Sequence, residues 1–314
     1  MNEKELVQKF FKGRAVPRPP FIPLIGTYIT KVDQISTEQL YSDSSTLFSA
    51  VLNTQQLLGY DALMMPIDIT IEAEALGASI NWHKDRMPSI SGHLPLDQDI
   101  KITGLNTKGR LPILIETINR IVIVHGKKYP VIATLTGPLT ILKQVYGEEI
   151  FKQDPKIVEK IVGNISQALI QLCKDFGEAK VDGIIINEDI DLNSFKNMEL
   201  GQFYTPINNV IKYYNIFGVL RLSTDINERK DNFSDTMIGS REFILDYDKV
   251  KIKGIAVNES FWMEPFNQAD LSTIWHEHKK RRLFFSTSKP IDLHIDLSKF
   301  QEKVPLLCKE ETWT

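Results

Sequence analysis

The sequence contains too few cysteines for a disulfide framework. Only two occur in 314 residues, Cys173 and Cys308, and they are far apart with no metal-ligand spacing. No window of about 18 apolar residues is present, as a membrane span requires. The first residues, MNEKELVQKFFKGR, lack the apolar core of a secretory signal. We therefore expect a protein of a reducing compartment, the cytoplasm, with no membrane association.

Basic charge is not in excess either. The formal net charge is -3 and the pI is near 6.1, whereas a protein held by phosphate contacts needs a concentrated basic surface. The basic run Lys279-Lys280-Arg281-Arg282 is typical of a solvated helix end. His276 and His278 are two apart on a predicted helix and point to different sides, which argues against a metal pair. Nucleic acid is therefore not an expected partner.

Local signatures of common enzyme classes are also missing. The sequence has no Gly-rich phosphate loop, no Gly-x-Ser-x-Gly elbow and no His-Glu-x-x-His motif. Neither a P-loop nor a dinucleotide fingerprint can therefore support a functional assignment.

What the sequence does contain is a series of short apolar runs that alternate with helical patterns. Runs that are apolar on both faces are what a parallel sheet covered by helices requires. The predicted strands are residues 21–26, 62–67, 129–136, 183–187, 218–223, 254–258 and 282–286, with an eighth near residues 243–245. Eight such units favour a closed (β/α)8 TIM barrel over an open doubly wound sheet.

Two helices are marked by their caps. Residues from Thr37 to Leu58 have helical apolar spacing and are followed by Gly59 as a C-terminal cap. Asp154 and Pro155 supply the N-cap and first turn of a second, strongly amphipathic helix. No internal repeat or Gly/Ser linker occurs, so we expect a single domain over residues 1–314, with a core of about residues 15–300 and a short N-terminal extension.

In such a barrel the active site lies at the carboxyl ends of the strands. The candidates are polar residues that interrupt or follow the apolar runs, namely Tyr28, Asp68, Thr136, Lys143, Asn187, Glu188, Asp189, Arg221, Ser223, Asn258, Glu259 and residues 286–288. Arg221 is the most informative, because VLRLS puts a charged guanidinium inside an apolar strand. Arg221 either forms an internal ion pair with Asp68, Glu188 or Asp189, or binds an anionic group of the substrate. Both can be true in turn if the ligand displaces the internal partner.

The acidic candidates also have a structural interpretation. Glu188 and Asp189 in INEDID are candidates for acid/base roles, but acidic residues after a strand often cap a helix. In the stretch IDITIEAEALG, Asp68 lies at the predicted mouth of the barrel. Glu72 and Glu74 are two apart on a predicted short helix, so at most one of them should point inward.

Three segments resemble the uroporphyrinogen decarboxylase superfamily. Residues 59–90, GYDALMMPIDITIEAEALGASINWHKDRMPSI, are most similar to its corrinoid methyltransferase branch, the methylcobalamin:coenzyme M methyltransferases, and Asp68 matches the catalytic aspartate of the decarboxylases. RPPFIPLI, residues 18–25, resembles the first strand of the family, and LTGPLTIL, residues 135–142, its third strand and turn. The resemblance implies a (β/α) barrel that either decarboxylates a tetrapyrrole or moves a methyl group from a corrinoid to a zinc-bound thiolate.

The sequence departs from both kinds of enzyme. The decarboxylases hold substrate carboxylates with two arginines after the first strand, where this sequence reads Gly26-Thr-Tyr-Ile-Thr30, and Gln144 replaces their tyrosine. The zinc ligands of the methyltransferases, a His-x-Cys and a later cysteine, correspond to Arg221-Leu-Ser223 and Ser286-Thr-Ser-Lys289. A guanidinium does not ligate zinc and serine is a poor substitute for thiolate, so no metal site is expected.

We therefore expect a divergent, zinc-independent, methyltransferase-like enzyme that binds a large anionic ligand at the barrel mouth. It would hold no cofactor tightly but would use a corrinoid such as methylcobalamin as a substrate, with a corrinoid protein as a candidate partner. The predicted catalytic residues are Asp68, Arg221 and Glu188, and the predicted ligand contacts are Tyr28, Glu72, Lys143, Asn187 and Asn258. The alternatives are a decarboxylase or other lyase acting on a different carboxylate, and a non-catalytic binding or accessory protein on the same scaffold.

Overall fold

In the residues that the structure describes, a parallel sheet of seven strands forms the centre of the protein. The computed structural model describes residues 1–84, 86–195, 197–226, 234–264 and 282–313. The strands in these ranges are β1 Leu63–Met64, β2 Ser79–Asn81, β3 Ser89–Gly92, β4 Val131–Thr136, β5 Gly183–Glu188, β6 Phe217–Leu222, β7 Thr236–Gly239, β8 Ile252–Val257 and β9 Leu283–Thr287. The sheet has the order β1-β4-β5-β6-β7-β8-β9, and β2 and β3 form a separate antiparallel pair.

Helices connect the strands and cover the sheet. They are α1 Glu3–Phe11, α2 Tyr28–Asp33, α3 Thr37–Ser42, α4 Ser44–Leu58, α5 Ile71–Ala75, α6 Leu111–His125, α7 Pro138–Tyr146, α8 Pro155–Glu178, α9 Gly201–Tyr213, α10 Arg241–Asp246, α11 Ser260–Met263 and α12 Leu297–Cys308. All residues of β4 and β5 are buried, as expected for parallel strands between helices. Within the described ranges, no helix has the length and apolar character needed to cross a membrane.

The segment around Phe21 lies between the two edges of the sheet. Phe285 N in β9 donates to Pro20 O, and Ile22 N donates to Phe285 O, both at 2.8 Å. On the other side, Asp61 N, just before β1, donates to Phe21 O at 3.1 Å. The sheet is therefore curled, since its first and last strands flank the same segment. Of the predicted (β/α)8 TIM barrel, the α/β class and a curled parallel sheet are confirmed.

Aromatic side chains fill the interior of the curled sheet at its amino end. Phe11 in α1 stacks on Phe217 at the start of β6, with ring centroids 3.7 Å apart, and Phe284 in β9 lies 5.5 Å from Phe11. Gly183 leaves room for the Phe217 ring, since a Cβ atom there would lie 2.2 Å from it. Phe217 and Phe284 thus identify the inward-facing positions of β6 and β9, because strand side chains alternate between faces.

The N-terminal extension packs against this end of the sheet. Val7 and Phe10 in α1 are 0% and 3% exposed and belong to the hydrophobic core. Lys4 Nζ donates to Asp182 Oδ2 at 2.7 Å, and the same oxygen accepts a hydrogen bond from Val131 N at 2.8 Å. Helix α1 therefore covers the amino ends of β4 and β5.

The predicted strand at residues 243–245 is wrong. These residues lie in α10, which begins after Ser240, whose side chain caps the helix by accepting a hydrogen bond from Phe243 N. The strand in this part of the sheet is β7, which precedes that cap and has only four residues.

The predicted helix from Thr37 to Leu58 is divided in two. Asp43 has an extended backbone, with φ -151° and ψ 137°, and its side chain caps α4 by accepting a hydrogen bond from Thr46 N. Gly59 ends α4 with a φ of 75°, as predicted for a C-terminal cap. The predicted helix after Asp154 is confirmed as α8.

Candidate ligand site at the carboxyl end of the sheet

Three side chains from neighbouring strands form a row across the sheet. Thr136 in β4 pairs in register with Asn187 in β5, and Asn187 pairs with Arg221 in β6. Arg221 is four residues after Phe217 and therefore faces the same side, the interior. Glu188, which follows Asn187, instead reaches α7 outside the sheet. The row therefore faces the interior at the carboxyl end, where the sequence predicts the site.

Arg221 is a buried guanidinium with an incomplete set of partners. Its Nη2 donates to Ser288 O at 2.6 Å, and its Nη1 lies 3.7 Å from Asp189 Oδ1. Its Nε has no hydrogen-bond partner, although the residue is only 7% exposed. Burial lowers the pKa of Arg221, because the loss of solvation outweighs the attraction of Asp189. Of the three carboxylates considered as partners, Asp189 is the one that pairs, through a loose contact.

Asn187 and Ser286 add two unpartnered polar atoms to this interior. Asn187 Nδ2 faces Leu135 O at 3.5 Å, which leaves its Oδ1 without a donor. Ser286 is two residues after the inward-facing Phe284, and its Oγ also lacks a partner. Buried polar atoms are nearly always hydrogen-bonded, and an unsatisfied one costs about 1–3 kcal/mol. Three such atoms at inward-facing positions of the sheet make this interior a candidate ligand site.

Glu72 is the buried carboxylate that joins the row. Its Oε1 accepts a hydrogen bond from Thr136 N at 3.0 Å, and its Oε2 accepts one from Thr136 Oγ1 at 2.6 Å. Burial raises the pKa of Glu72 to about 7, with a smaller contribution from the charge of Asp68. Glu74 instead bonds Arg110 and its side chain is 23% exposed. The two glutamates therefore differ in their surroundings, with Glu72 buried against Thr136 and Glu74 paired with Arg110.

Asp68 is held by an arginine that sequence reasoning missed. Arg110 Nη1 donates to Asp68 Oδ2, and Arg110 Nε donates to Glu74 Oε2 at 2.6 Å. The other Asp68 oxygen accepts hydrogen bonds from Thr70 N and Oγ1 at 2.9 and 2.7 Å. The guanidinium of Arg110 also lies over the Trp82 ring, 4.8 Å from its centroid. Burial opposes the charge, yet the two carboxylates raise the pKa of Arg110. Asp68 is thus a buried ion-pair partner.

Glu188 caps α7 from outside the row. Its carboxylate accepts hydrogen bonds from the backbone N atoms of Leu139 and Thr140 at 3.1 and 3.0 Å, and from the Thr140 and Tyr204 hydroxyls. Burial raises the pKa of Glu188, against the opposite effect of these donors. Gly137 permits the close approach, since a Cβ atom there would lie 2.2 Å from the Glu188 carboxyl. These contacts match the helix-capping alternative.

The other predicted contacts are separate from the row. Tyr28 is fully buried, donates to Ile295 O at 3.1 Å, and has its pKa raised to about 12 by burial. Lys143 is 41% exposed and pairs with Glu148 at 2.8 Å. Asn258 is exposed just beyond β8. Tyr28 is therefore part of the core, whereas Lys143 and Asn258 are accessible from solvent.

An open cleft of about 1060 Å³ lies beside Asp189. Its described walls come from the connection between α7 and α8, from the segment after β5, and from Ser223 and Thr224 after β6. Acidic side chains outnumber lysines there, with Glu148, Glu149, Glu159, Asp189 and Asp191 against Lys143 and Lys152. Both lysines are paired with glutamates. These walls do not favour a ligand with several negative charges. If the ligand carries an anionic group, we therefore expect that group to lie near Arg221.

At the positions that the family resemblance matches to zinc ligands, the side chains present are unsuited to binding zinc. Arg221 and Ser223 stand in one place and residues 286–289 in the other. A buried guanidinium repels a divalent cation and has no lone pair to offer it. In the part of the chain that the structure describes, no group of three or more His, Cys, Asp or Glu side chains is arranged to hold a metal ion. His276 and His278 lie outside the described residues.

Comparison with known proteins identifies a family that matches this chain. The profile described as "Uroporphyrinogen decarboxylase (URO-D)" matches residues 2–209. The methylcobamide:CoM methyltransferase MtbA of Methanosarcina acetivorans is 25% identical over 194 residues, which cover 59% of this chain and 55% of the relative. A methylated-thiol–coenzyme M methyltransferase of Methanosarcina mazei is 26% identical over 141 residues, covering 44% and 38%. The chain thus spans about half the length or less of these relatives.

A solved structure shows the same fold over the whole chain. A methyltransferase from Methanosarcina mazei superimposes with a TM-score of 0.82 and covers 100% of both chains, at 18% sequence identity. At this identity the likeness establishes the fold and leaves the reaction to the site residues.

Proposed function

Because the chain belongs to the uroporphyrinogen decarboxylase family, we propose that it is a zinc-independent, corrinoid methyltransferase-like enzyme. It binds an anionic group of its ligand at Arg221 and transfers a methyl group from a corrinoid, placed over the carboxyl end of the sheet, to the sulfur of a thiol, which gives up its proton. The observation that carries this proposal is the buried, incompletely paired Arg221 beside Asn187. Such a cation gains most from an anion that also supplies hydrogen-bond acceptors.

The proposed architecture is a (β/α)8 barrel in which the Phe21 segment takes the eighth position. Hydrogen bonds from this segment to β9 and from Asp61 to it support that closure. The mouth of the barrel would then be formed by the carboxyl ends of the strands, including the cleft beside Asp189.

Different carboxylates take different roles in this proposal. Glu72, with its pKa raised to about 7 by burial, supplies or accepts a proton near neutral pH. Asp68 orients the segment after β1 through Arg110, and Glu188 positions α7. Both are thus positioning residues, because Asp68 is held by the Arg110 guanidinium and Glu188 by two backbone amides of α7.

The corrinoid part of the proposal is tested by absorbance spectroscopy. Mixing the protein with methylcobalamin should perturb the corrinoid spectrum, and a panel of thiols that includes coenzyme M should then be screened for methyl transfer. An unchanged spectrum at high protein concentration would count against corrinoid binding. Stoichiometric zinc in the purified protein would contradict the zinc-independent chemistry.

The role of Glu72 is tested with a matched pair of variants. Glu72→Gln removes the titrating group while keeping an oxygen for Thr136 N, so we expect turnover to fall by a factor of about 10² to 10⁴. Glu116→Gln makes the same change at an exposed position of α6 and should leave turnover unaltered. Equal rates for the two variants would remove the proton-transfer role from Glu72.

A carboxy-lyase is the second candidate function, and Arg221 again favours it. A buried guanidinium would hold a substrate carboxylate while Glu72 donates the proton that replaces carbon dioxide. Release of carbon dioxide from a candidate acid, lost in Arg221→Met, would select this reaction over methyl transfer. Ligand binding without either reaction, unaffected by Glu72→Gln, would select the non-catalytic alternative.

A further inference from the structure

The unpartnered atoms in the sheet interior are of opposite hydrogen-bonding type. Arg221 Nε is a donor, whereas Asn187 Oδ1 is an acceptor. The two residues are register partners on adjacent strands, which are about 4.8 Å apart, and both face inward. A ligand that satisfies both atoms must therefore offer an acceptor and a donor close to one another.

Charge balance restricts the ligand further. At the Asn187 end of the row, the described residues place the buried cation Arg221 and, 3.7 Å from it, the half-exposed carboxylate Asp189. The buried carboxylate Glu72 lies at the other end of the row, on Thr136. A simple anion at Arg221 would leave Asp189 without its partner, and a simple amine would leave an unneutralised positive charge beside Arg221. A zwitterion preserves neutrality, because its anionic end pairs with Arg221 and its ammonium pairs with the released Asp189.

From these two observations we infer that the ligand of this site is an α-amino acid, which carries its carboxylate and its ammonium on one carbon. The carboxylate binds Arg221, and the ammonium donates to Asn187 Oδ1 and to Asp189. This inference rests on the proposed function in that it uses the same anion contact at Arg221, and it identifies the class of small molecule that lies there. The Ser286 hydroxyl, which can donate or accept, faces the same interior from β9.

Entry to the site passes Asp189. Arg221, Asn187 and Ser286 are 7%, 1% and 0% exposed as whole residues. The Asp189 side chain, by contrast, is 47% exposed and lines the open cleft. Displacing a 3.7 Å ion pair disrupts no close hydrogen bond. The ligand carboxylate therefore replaces Asp189 at Arg221, and the cleft walls, rich in carboxylates, do not accommodate a second anionic group.

The inference is tested by calorimetric titration of the full chain, without corrinoid, against the twenty standard L-amino acids. For each amino acid that binds, the acid lacking the amino group and the amine lacking the carboxyl group are titrated in parallel. We expect each of these to bind about 10- to 100-fold more weakly, the effect of losing one charge-assisted contact. Equal binding of the deaminated acid, or no binding of any amino acid at about 10 mM, well above ordinary substrate KM values, would overturn the inference.

Variants separate ligand contacts from structural ones. Arg221→Met and Asn187→Leu should each weaken amino acid binding about 10- to 100-fold, whereas Arg120→Met, which removes a guanidinium from α6, should not. Asn187→Leu and Ser286→Ala should also keep or raise the Tm, because each removes a buried polar atom without a partner, and the former gives up only the 3.5 Å contact of Asn187 Nδ2 with Leu135 O in addition. A lower Tm for both would show that these atoms are structural and would overturn their assignment as ligand contacts.

The outcome is independent of the corrinoid experiment. Amino acid binding with an unperturbed methylcobalamin spectrum would retain this inference and reject the methyl donor. A perturbed spectrum without amino acid binding would retain the corrinoid as methyl donor and reject the amino acid as ligand.

Discussion

At the residue scale, exclusion from solvent has different consequences for Glu72 and Glu188. Glu188 receives four hydrogen bonds, including two from the first turn of α7, and it serves as a fixed cap. Glu72 receives its two hydrogen bonds from a single residue, Thr136, and burial raises its pKa to about 7. A pKa of about 7 suits the proton transfer proposed for Glu72.

The raised pKa of Glu72 predicts a pH-dependent stability. Between the ordinary value of 4.5 and about 7, the folded chain keeps the Glu72 proton while the unfolded chain has lost it. The free energy of unfolding should therefore fall as pH rises through this range, by on the order of 3 kcal/mol in total. Urea unfolding of the wild type and of Glu72→Gln at pH 5, 6, 7 and 8, values that span this interval, would measure the difference.

The variants should diverge in a defined direction. Glu72→Gln cannot ionise, so its decline over this pH range should be smaller, and at the alkaline end it should be more stable than the wild type. Glu116→Gln, at an exposed site, should follow the wild type. Parallel pH profiles for the wild type and Glu72→Gln would contradict the raised pKa.

At the element scale, sequence patterns identified most of the central strands because these are continuous apolar runs. β4, β5, β6, β8 and β9 lie where those runs predict them. β7 was missed because its four residues, TMIG, give a weaker signal than the nearby residues 243–245. The available clue was Ser240, a strong N-cap residue that starts α10.

The sequence predicted those site residues that stand out from their immediate neighbours. It missed those that are recognised only through a contact with a residue far away in the sequence. Arg221 stands out locally because a charge interrupts an apolar strand. Arg110 does not, since its partner Asp68 is 42 positions away and no local pattern marks the pair. The lack of a partner for Asn187 Oδ1 likewise depends on the tertiary structure rather than on its neighbours in sequence.

Alanine should have opposite effects at Gly137, at the contact between β5 and α7, and at Gly163 in α8. Gly137→Ala would force its Cβ to within 2.2 Å of the Glu188 carboxyl, so the cap must shift, and we expect a loss of about 2–4 kcal/mol. Gly163→Ala in α8 meets no atom within 4 Å and should stabilise the protein by about 0.5–1 kcal/mol.

Urea unfolding of both glycine variants provides the measurement. A Gly137→Ala protein as stable as the wild type would show that Glu188 can leave α7 without loss. The helix-capping role of Glu188 would then have to be abandoned.

At the scale of the whole molecule, α1 connects parts of the chain that are remote in sequence. Lys4 and Asp182 are separated by 178 positions. Phe10 contacts the Phe284 ring in the last strand of the sheet, with centroids 6.1 Å apart. The amino end of the sheet interior is thus closed by residues from α1, β6 and β9 together.

This closure predicts that α1 contributes to global stability. Phe10 is 3% exposed, so Phe10→Ala should lower the free energy of unfolding by about 3–5 kcal/mol. Ile123→Ala, at a residue of α6 that is 80% exposed, should change it by less than about 0.5 kcal/mol. If Phe10→Ala and Ile123→Ala had equal stabilities in thermal and urea unfolding, the packing of Phe10 in α1 would not contribute to global stability.

The position of the Phe21 segment also determines when the chain can finish folding during synthesis. Leu24 N donates to Thr287 Oγ1, 263 positions further along. At about 5–20 residues per second, the ribosome needs roughly 13–50 s to make the intervening chain. During that interval the apolar face of α1 and the Phe21 segment have no β9 to bind, and such transiently exposed apolar surface is prone to aggregation.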